Sequence, residues 1–135
     1  MTKYKLFDLK INGDERGSLV SIEQDINCPF KIKRVYYIFD TKKGVARGFH
    51  AHVDLKQIVL AVKGSCNFIV DNGKKKEEIK LSKPNKGLLI EGLVWREMRN
   101  FSPDCVLLVL ASENYIEKDY IKDYNKFLEL VKNDT

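Results

Sequence analysis

Residues 44–64, GVARGFHAHVDLKQIVLAVKG, give the strongest indication of the fold and contain both histidines of the chain. The histidines stand two apart, with a single alanine between them. In a β-strand, residues i and i+2 point to the same side of the sheet, so His50 and His52 are predicted to face one compartment. If that compartment is the interior of a barrel, the two imidazoles converge on one small volume.

On both sides of this stretch the chain consists of short apolar runs separated by turns, a pattern typical of β-strands. Asp71-Asn72-Gly73 is a strong hairpin signal, because Asn-Gly tolerates the positive φ angles that tight hairpins require. Strands at a spacing of about ten residues predict an antiparallel sandwich or barrel. The predicted strands are residues 35–39, 57–62, 66–70, 77–81, 87–90, 95–100 and 105–110.

The end of the chain changes period. Apolar side chains from Ile116 to Val131 recur at spacings of three and four, which predicts an amphipathic helix over roughly residues 115–132. No linker rich in proline, glycine or serine divides the chain. We therefore expect one domain over residues 1–135, with its strands between roughly 5 and 112.

Composition places the chain among soluble globular proteins, since hydrophobic residues make up 44% and charged residues 32% of the 135. The apolar run Val106–Ala111 is too short to span a bilayer, and charged residues interrupt every apolar run within residues 1–30. We therefore expect a cytoplasmic protein without a membrane partner.

The chain is basic, with 24 Lys and Arg against 19 Asp and Glu and a net charge of +5. It shows no basic stripe with interleaved aromatic residues, so we expect no nucleic acid partner. An anionic small molecule fits the charge balance as well. The three cysteines, Cys28, Cys66 and Cys105, lack CxxC spacing and are predicted to be buried, reduced thiols.

The spacing within residues 44–64 resembles the first motif of the cupin family, G-x5-H-x-H-x3/4-E-x6-G, and residues 96–100 resemble the second motif, which ends in H-x3-N. In metal-binding cupins the two histidines, the glutamate and the later histidine hold the ion. This chain has Gln57 and Arg96 at the last two of those places. A neutral amide is a poor ligand for a divalent ion and an arginine cannot be deprotonated, so we expect no metal.

A closer resemblance covers nearly the whole chain. Residues 47–50, Arg-Gly-Phe-His, resemble the R-G-L-H signature of the nucleotide-sugar 3,5-epimerases, and residues 14–19 resemble their D-x-R-G segment. Residues 32–40, 47–52 and 94–98 are similar to the sugar nucleotide 3,4-ketoisomerases. The resemblance implies an all-β cupin jelly-roll barrel, which in this chain ends in the predicted C-terminal helix.

The resemblance also implies a reaction and an assembly. Such enzymes act on dTDP-4-keto-6-deoxy-D-glucose and move its carbonyl from C4 to C3 without a cofactor. The 3-keto product feeds an aminotransferase that leads to surface glycans, and the subunits form homodimers that exchange strands. We therefore expect the same dTDP-linked substrate, no cofactor and a homodimer.

This chemistry needs a base that takes the C3 proton and an acid that returns a proton at C4, through an enediolate. His50 and His52 are the predicted pair, with His52 favoured as the base at C3, because an imidazole does either job near neutral pH. Tyr37 or Arg47 is expected to stabilise the enediolate oxygens, and a packing role for Tyr37 stays equally open. The predicted substrate-binding residues are Arg16, Arg47, Gln57, Trp95 and Arg96.

Several alternatives stay open. Arg16 also fits a surface ion pair, and Trp95 also fits the core. A 3,5-epimerase and a non-catalytic cupin that binds a sugar or nucleotide are the rival functions, and a metal-dependent cupin dioxygenase is disfavoured by Gln57 and Arg96. The stereochemistry of the product at C4, gluco or galacto, does not follow from the sequence.

Overall fold

A computed structural model describes residues 3–134 of the chain, which is built chiefly of β-strands. Residues 1, 2 and 135 of the predicted domain lie outside the described residues. One α-helix, α1, covers Tyr124–Asn133, and a turn of 3-10 helix covers Glu117–Asp119. In chain order the strands are β1 Tyr4–Asp8, β2 Asn12–Asp14, β3 Gly17–Leu19, β4 Arg34–Ile38, β5 Arg47–His52, β6 Lys56–Lys63, β7 Cys66–Asp71, β8 Lys76–Leu81, β9 Lys86–Glu91, β10 Trp95–Arg99, β11 Val106–Ala111 and β12 Tyr120–Ile121.

Two five-stranded antiparallel sheets pack face to face. The first sheet has the order β1-β9-β6-β11-β4, the second has the order β12-β5-β10-β7-β8, and β2 and β3 form a separate hairpin. Because side chains alternate across each strand, the inward set from both sheets fills one apolar core. That core includes Val59, Phe68, Leu88, Met98 and Leu107. The predicted all-β jelly roll is therefore confirmed.

The outer faces of both sheets are covered as well. Leu9 and Phe30, from the segments that flank the β2-β3 hairpin, pack against Ile58 of β6 on the outside of the first sheet. Phe127 of α1 packs against Trp95 of β10 on the outside of the second sheet. The central strands are thus buried on both faces, which explains their nearly continuous apolar sequences.

The C-terminal helix begins at Tyr124, well after its predicted start near residue 115. Tyr120 and Ile121 instead pair as β12 with strand β5. Asp123 then caps the helix, since its side chain accepts hydrogen bonds from two backbone N–H groups of the first turn. The apolar spacing before Asp123 therefore belongs to a strand and a turn, and this difference brings residues 117–121 to the histidine strand.

The three cysteines are buried and unpaired, as predicted. Within residues 3–134, no helix is both long enough and apolar enough to cross a membrane.

Candidate active site

A cavity of about 640 Å³, here called the main cavity, lies between the edge strand β4 and strands β5 and β12. Half-buried Tyr36, His50 and Tyr120 form part of its wall, together with the exposed, positively charged Arg47 and Lys122. This combination of polar aromatic groups and positive charge suits an anionic ligand whose reactive part reaches the interior.

The two histidines lie side by side, as their spacing predicts. Their ring centroids are 4.8 Å apart, with one ring edge-on to the other. Tyr120 packs against both rings, at 5.0 Å from His50 and 4.4 Å from His52. His50 lines the main cavity, whereas His52 is 1% exposed and lies behind it.

A β-bulge at the start of β5 aims His50 at the cavity. Gly48 and Phe49 both have positive φ angles, and the pairing with β10 shifts register beside them. A side chain at Gly48 would meet the backbone oxygen of Arg96 at 3.0 Å, so this close approach of β5 to β10 favours glycine. Bulges of this kind re-aim the side chains that follow them.

His52 is held by a carboxylate. Its Nδ1 lies 3.0 Å from Oδ2 of Asp119, and Oδ1 of Asp119 accepts a hydrogen bond of 3.2 Å from the backbone N–H of Val53. His52 and Asp119 also line a second cavity of about 480 Å³, with Arg34 and Tyr120. The sequence did not identify Asp119 as a site residue, because the apolar spacing around it predicts an α-helix where the structure has a 3-10 turn.

Arg96, Gln57 and Tyr36 form a buried network. The guanidinium Nη1 of Arg96 donates to the side-chain oxygen of Gln57, and Nη2 donates to the carbonyl of Val94 at 3.0 Å. The amide nitrogen of Gln57 then donates to the hydroxyl oxygen of Tyr36 at 3.0 Å. Each donor points toward the next group, so the Tyr36 hydroxyl proton is left free to donate to a ligand.

Burial sets the protonation of these groups. Burial and the nearby Arg96 lower the pKa of His50 to about 4 and that of His52 to about 2. Burial raises the pKa of Tyr36, and it lowers the pKa of Arg96 to about 10. Near neutral pH the site therefore holds two neutral imidazoles, one phenol and one buried cation.

Tyr36, not Tyr37, occupies the interior position on β4. Successive residues of a strand point to opposite faces, and the even-numbered residues Arg34, Tyr36 and Ile38 face the space between the sheets. The side of β4 that carries Tyr37 faces outward, so Tyr37 is 63% exposed and contacts the main cavity only at its open rim. The alternation was predictable, but which of the two tyrosines faces inward was not.

Two of the predicted binding residues, Trp95 and Arg16, lie away from both the main cavity and the buried network. Trp95 is buried on the outer face of the second sheet, where its indole N–H donates to Glu97 at 3.0 Å. This position under α1 does not fit a contact with substrate, and the alternative of core packing describes it. Arg16 lies in the turn of the β2-β3 hairpin, paired with Asp14.

Among residues 3–134, no group of three or more His, Cys, Asp and Glu side chains is arranged to hold a metal ion. At the place of two cupin ligands stand Gln57 and Arg96, hydrogen-bonded to each other. A fixed guanidinium charge opposes a divalent cation there.

Comparison with known proteins places the chain among sugar isomerases. A family model described as "FdtA: WxcM-like, C-terminal" matches residues 2–132. The chain is 50% identical over 127 residues to the TDP-4-oxo-6-deoxy-alpha-D-glucose-3,4-oxoisomerase of Aneurinibacillus thermoaerophilus, and the match covers 94% of this chain and 91% of that relative.

Solved structures similar to this chain are also 3,4-ketoisomerases. A 3,4-ketoisomerase from Helicobacter canadensis is 45% identical with a TM-score of 0.94, and the alignment covers 98% of this chain and 99% of that one. A histidine-to-asparagine variant of QdtA, a 3,4-ketoisomerase from Thermoanaerobacterium thermosaccharolyticum, was solved in complex with TDP-4-keto-6-deoxyglucose. It is 41% identical with a TM-score of 0.95, and the alignment covers 98% of this chain and 96% of that one.

Proposed function

This chain belongs to the FdtA, WxcM-like family of sugar nucleotide 3,4-ketoisomerases, and we propose that it converts dTDP-4-keto-6-deoxy-D-glucose into a dTDP-3-keto-6-deoxyhexose. The observation that carries the proposal is the pair of neutral imidazoles, 4.8 Å apart, beside a cavity with positive charge. Tyr36 and the buried Arg96 complete the reacting environment.

The reaction moves two hydrogens, both as protons. The proton on C3 leaves that carbon and a proton arrives at C4, while the hydroxyl proton on C3 leaves and the oxygen on C4 gains one. The electron pair of the C3–H bond forms the enediolate and then returns to C4 as the C4–H bond. The substrate thus needs no outside oxidant or reductant, only groups that accept and donate protons.

His50 is the group we assign to the C3 proton. It lines the main cavity, its ring is neutral near pH 7, and its lowered pKa keeps it neutral in mildly acidic solution. The sequence favoured His52 for this step, but His52 lies behind His50 and is almost fully buried. We therefore assign His52 to the second transfer, between the oxygens on C3 and C4.

Tyr36 takes the role that the sequence gave to Tyr37. Its hydroxyl accepts a hydrogen bond from Gln57, which leaves its own proton available to an enediolate oxygen. The positive charge of Arg96 lies behind this network and favours the developing negative charge. Gln57 and Arg96 thus act through Tyr36 and through the electric field of the site.

The diphosphate of the substrate needs positive charge at the surface. Arg47 and Lys122 line the main cavity and are exposed, so they are placed to neutralise it. Arg34 also lines the cavity, and its guanidinium lies over the Tyr36 ring at 5.0 Å from the centroid.

The chain acts as a homodimer in this proposal. β4 is an edge strand, and its outward residues Val35 and Tyr37 and the following Phe39 are 56%, 63% and 58% exposed. An exposed apolar row on an edge strand is an interaction surface. The hairpin that carries Arg16 lies outside the two main sheets, and we propose that it reaches the main cavity of the second copy and binds the diphosphate there.

The cellular setting is also a proposal. Three buried, unpaired cysteines fit a reducing cytoplasm. A 3-keto sugar nucleotide is a substrate for an aminotransferase, and the resulting amino sugar would enter a surface glycan.

The reaction is tested by following the carbonyl carbon with 13C NMR on substrate labelled in its hexose, in deuterated water. Appearance of a 3-keto product supports the proposal, with deuterium at C3 or C4 as the accompanying label. Deuterium at C5 would assign the chain to the 3,5-epimerases. Binding of the substrate with neither product nor label would assign it to the non-catalytic sugar-binding cupins.

A further inference from the structure

Asp119 is not required by any motif in the sequence, yet among residues 3–134 it makes the one hydrogen bond to the His52 ring. The turn Glu117–Asp119 precedes β12, whose Tyr120 is paired with His52 itself. This pairing brings the Asp119 carboxylate beside the imidazole, with Oδ2 3.0 Å from Nδ1.

The carboxylate is itself held in place. Its second oxygen, Oδ1, accepts the backbone N–H of Val53 at 3.2 Å, so the two oxygens contact neighbouring residues of one strand end. The Asp119 side chain is 22% exposed, whereas that of His52 is 1% exposed. The Asp119 carboxylate therefore lies between the buried His52 ring and the second cavity.

The other nitrogen of His52 is in a different situation. Nε2 is buried and has no hydrogen-bond partner within residues 3–134. A neutral imidazole carries one N–H donor and one lone pair, and an ionised carboxylate only accepts hydrogen bonds. If Nδ1 donates to Asp119, the lone pair must be on Nε2.

We infer that Asp119 is a positioning residue, which accepts the Nδ1 proton of His52 and so fixes the tautomer whose Nε2 is free to accept a proton. Once Nε2 has taken a proton from the substrate, the ring is an imidazolium, and the carboxylate stabilises it until the proton is returned. The catalytic half of this inference rests on the function proposed above, whereas the tautomer does not.

Replacement of Asp119 by asparagine tests the inference at the atom concerned. In Asp119→Asn the amide oxygen still accepts the Val53 N–H, while the amide nitrogen faces Nδ1 of His52 and donates to it. The variant therefore favours the opposite tautomer, with the proton on Nε2. Glu117→Gln removes a carboxylate from the same turn, at an exposed position, and is the matched control.

The first measurement is 15N NMR of the full chain labelled at its two histidines, with His50→Asn used to assign the signals. We expect an Nδ1–H tautomer for His52 in the wild type and in Glu117→Gln, and an Nε2–H tautomer in Asp119→Asn. An Nε2–H tautomer in the wild type overturns the inference, and that measurement needs neither a variant nor a substrate.

The second measurement is turnover of dTDP-4-keto-6-deoxyglucose. In a Ser-His-Asp triad, changing the orienting Asp to Asn costs about 10⁴-fold in kcat, so kcat of Asp119→Asn should fall by at least about 10-fold with KM little changed. Glu117→Gln should turn over at the wild-type rate. Wild-type kcat in Asp119→Asn would overturn the catalytic half, and so would a wild type that does not convert the substrate, which would also refute the proposed function.

Discussion

Arg96 donates a hydrogen bond from its guanidinium to the side-chain oxygen of Gln57, so the two residues at which this chain departs from the metal-binding cupin motif hold each other. The position of two metal ligands is thus occupied by a cation and its neutral partner. In the mechanism proposed above, the charge that a metal ion would supply to an enediolate comes from this arginine, which needs no loading and does not dissociate.

The first prediction concerns the metal. The wild type is expected to keep its activity after dialysis against a chelator and to contain no stoichiometric metal by elemental analysis. The double variant Gln57→Glu/Arg96→His restores the ligand types of the motif around His50 and His52, and is expected to bind one divalent transition ion per chain. Stoichiometric iron, zinc or manganese in the wild type, with activity lost on chelation, would refute this account of Arg96.

The second prediction separates the two tyrosines. Tyr36→Phe removes the hydroxyl that accepts a hydrogen bond from Gln57, and we expect kcat to fall by about 10²-fold, the usual effect of losing one hydrogen-bond donor to a developing oxyanion. Tyr37→Phe removes an exposed hydroxyl at the rim of the same cavity and should lower kcat far less. Steady-state kinetics on the pair decides between them, and the reverse order of effects would restore Tyr37 to the site.

The third prediction is a pH dependence of stability. The lowered pKa values of His50 and His52 mean that the unfolded chain, with histidine pKa values near 6.5, binds protons that the folded chain does not. The free energy of unfolding is therefore unaffected by the two histidines above about pH 6.5. Below that pH, each histidine lowers it by up to about 1.4 kcal/mol per pH unit, until the pH reaches the folded pKa of that histidine.

Urea unfolding of the wild type and of His50→Asn/His52→Asn checks this effect, because all carboxylates are common to both proteins. Between about pH 6.5 and about pH 4.5, the free energy of unfolding should fall more steeply in the wild type than in the double variant. Parallel curves would show that the rings are not held neutral in the folded chain.

The fourth prediction concerns the second copy. If Arg16 acts across the dimer, Arg16→Ala and His50→Asn damage different parts of one shared site. Refolding a one-to-one mixture of the two variants should then yield dimers with one intact site and restore about a quarter of wild-type activity at low substrate concentration. Activity equal to the mean of the separate variants would place Arg16 outside the partner's site, and a monomer by sedimentation would refute the dimer itself.

Periodicity in the sequence was sufficient to predict an antiparallel β fold and the histidine pair, whereas the jelly-roll barrel was implied by the resemblance to the cupins. Alternation along β5 placed His50 and His52 on one face, and the turn signals divided the strands. The sequence did not show whether Tyr36 or Tyr37 faces the interior, because alternation along a strand does not say which of its two faces is buried.

Asp119 could not be predicted for another reason. The apolar spacing after Ile116 fits a helix, and only the pairing of Tyr120 and Ile121 with β5 converts it into a turn and a strand. The position of Trp95 could not be predicted either. A buried aromatic residue on β10 can point to the inner or to the outer face of the sheet, and both faces are covered here, the outer one by α1.

The assignment of the C3 proton to His50 is tested by the rate at which that proton leaves the substrate in deuterated water. 1H NMR of dTDP-4-keto-6-deoxyglucose gives this rate for the wild type and for His50→Asn, with dTDP binding as the control for an intact site. We expect the loss of the C3 proton to slow by about 10²-fold to 10⁴-fold in His50→Asn while dTDP still binds. Removal of the C3 proton at the wild-type rate by His50→Asn would contradict the account.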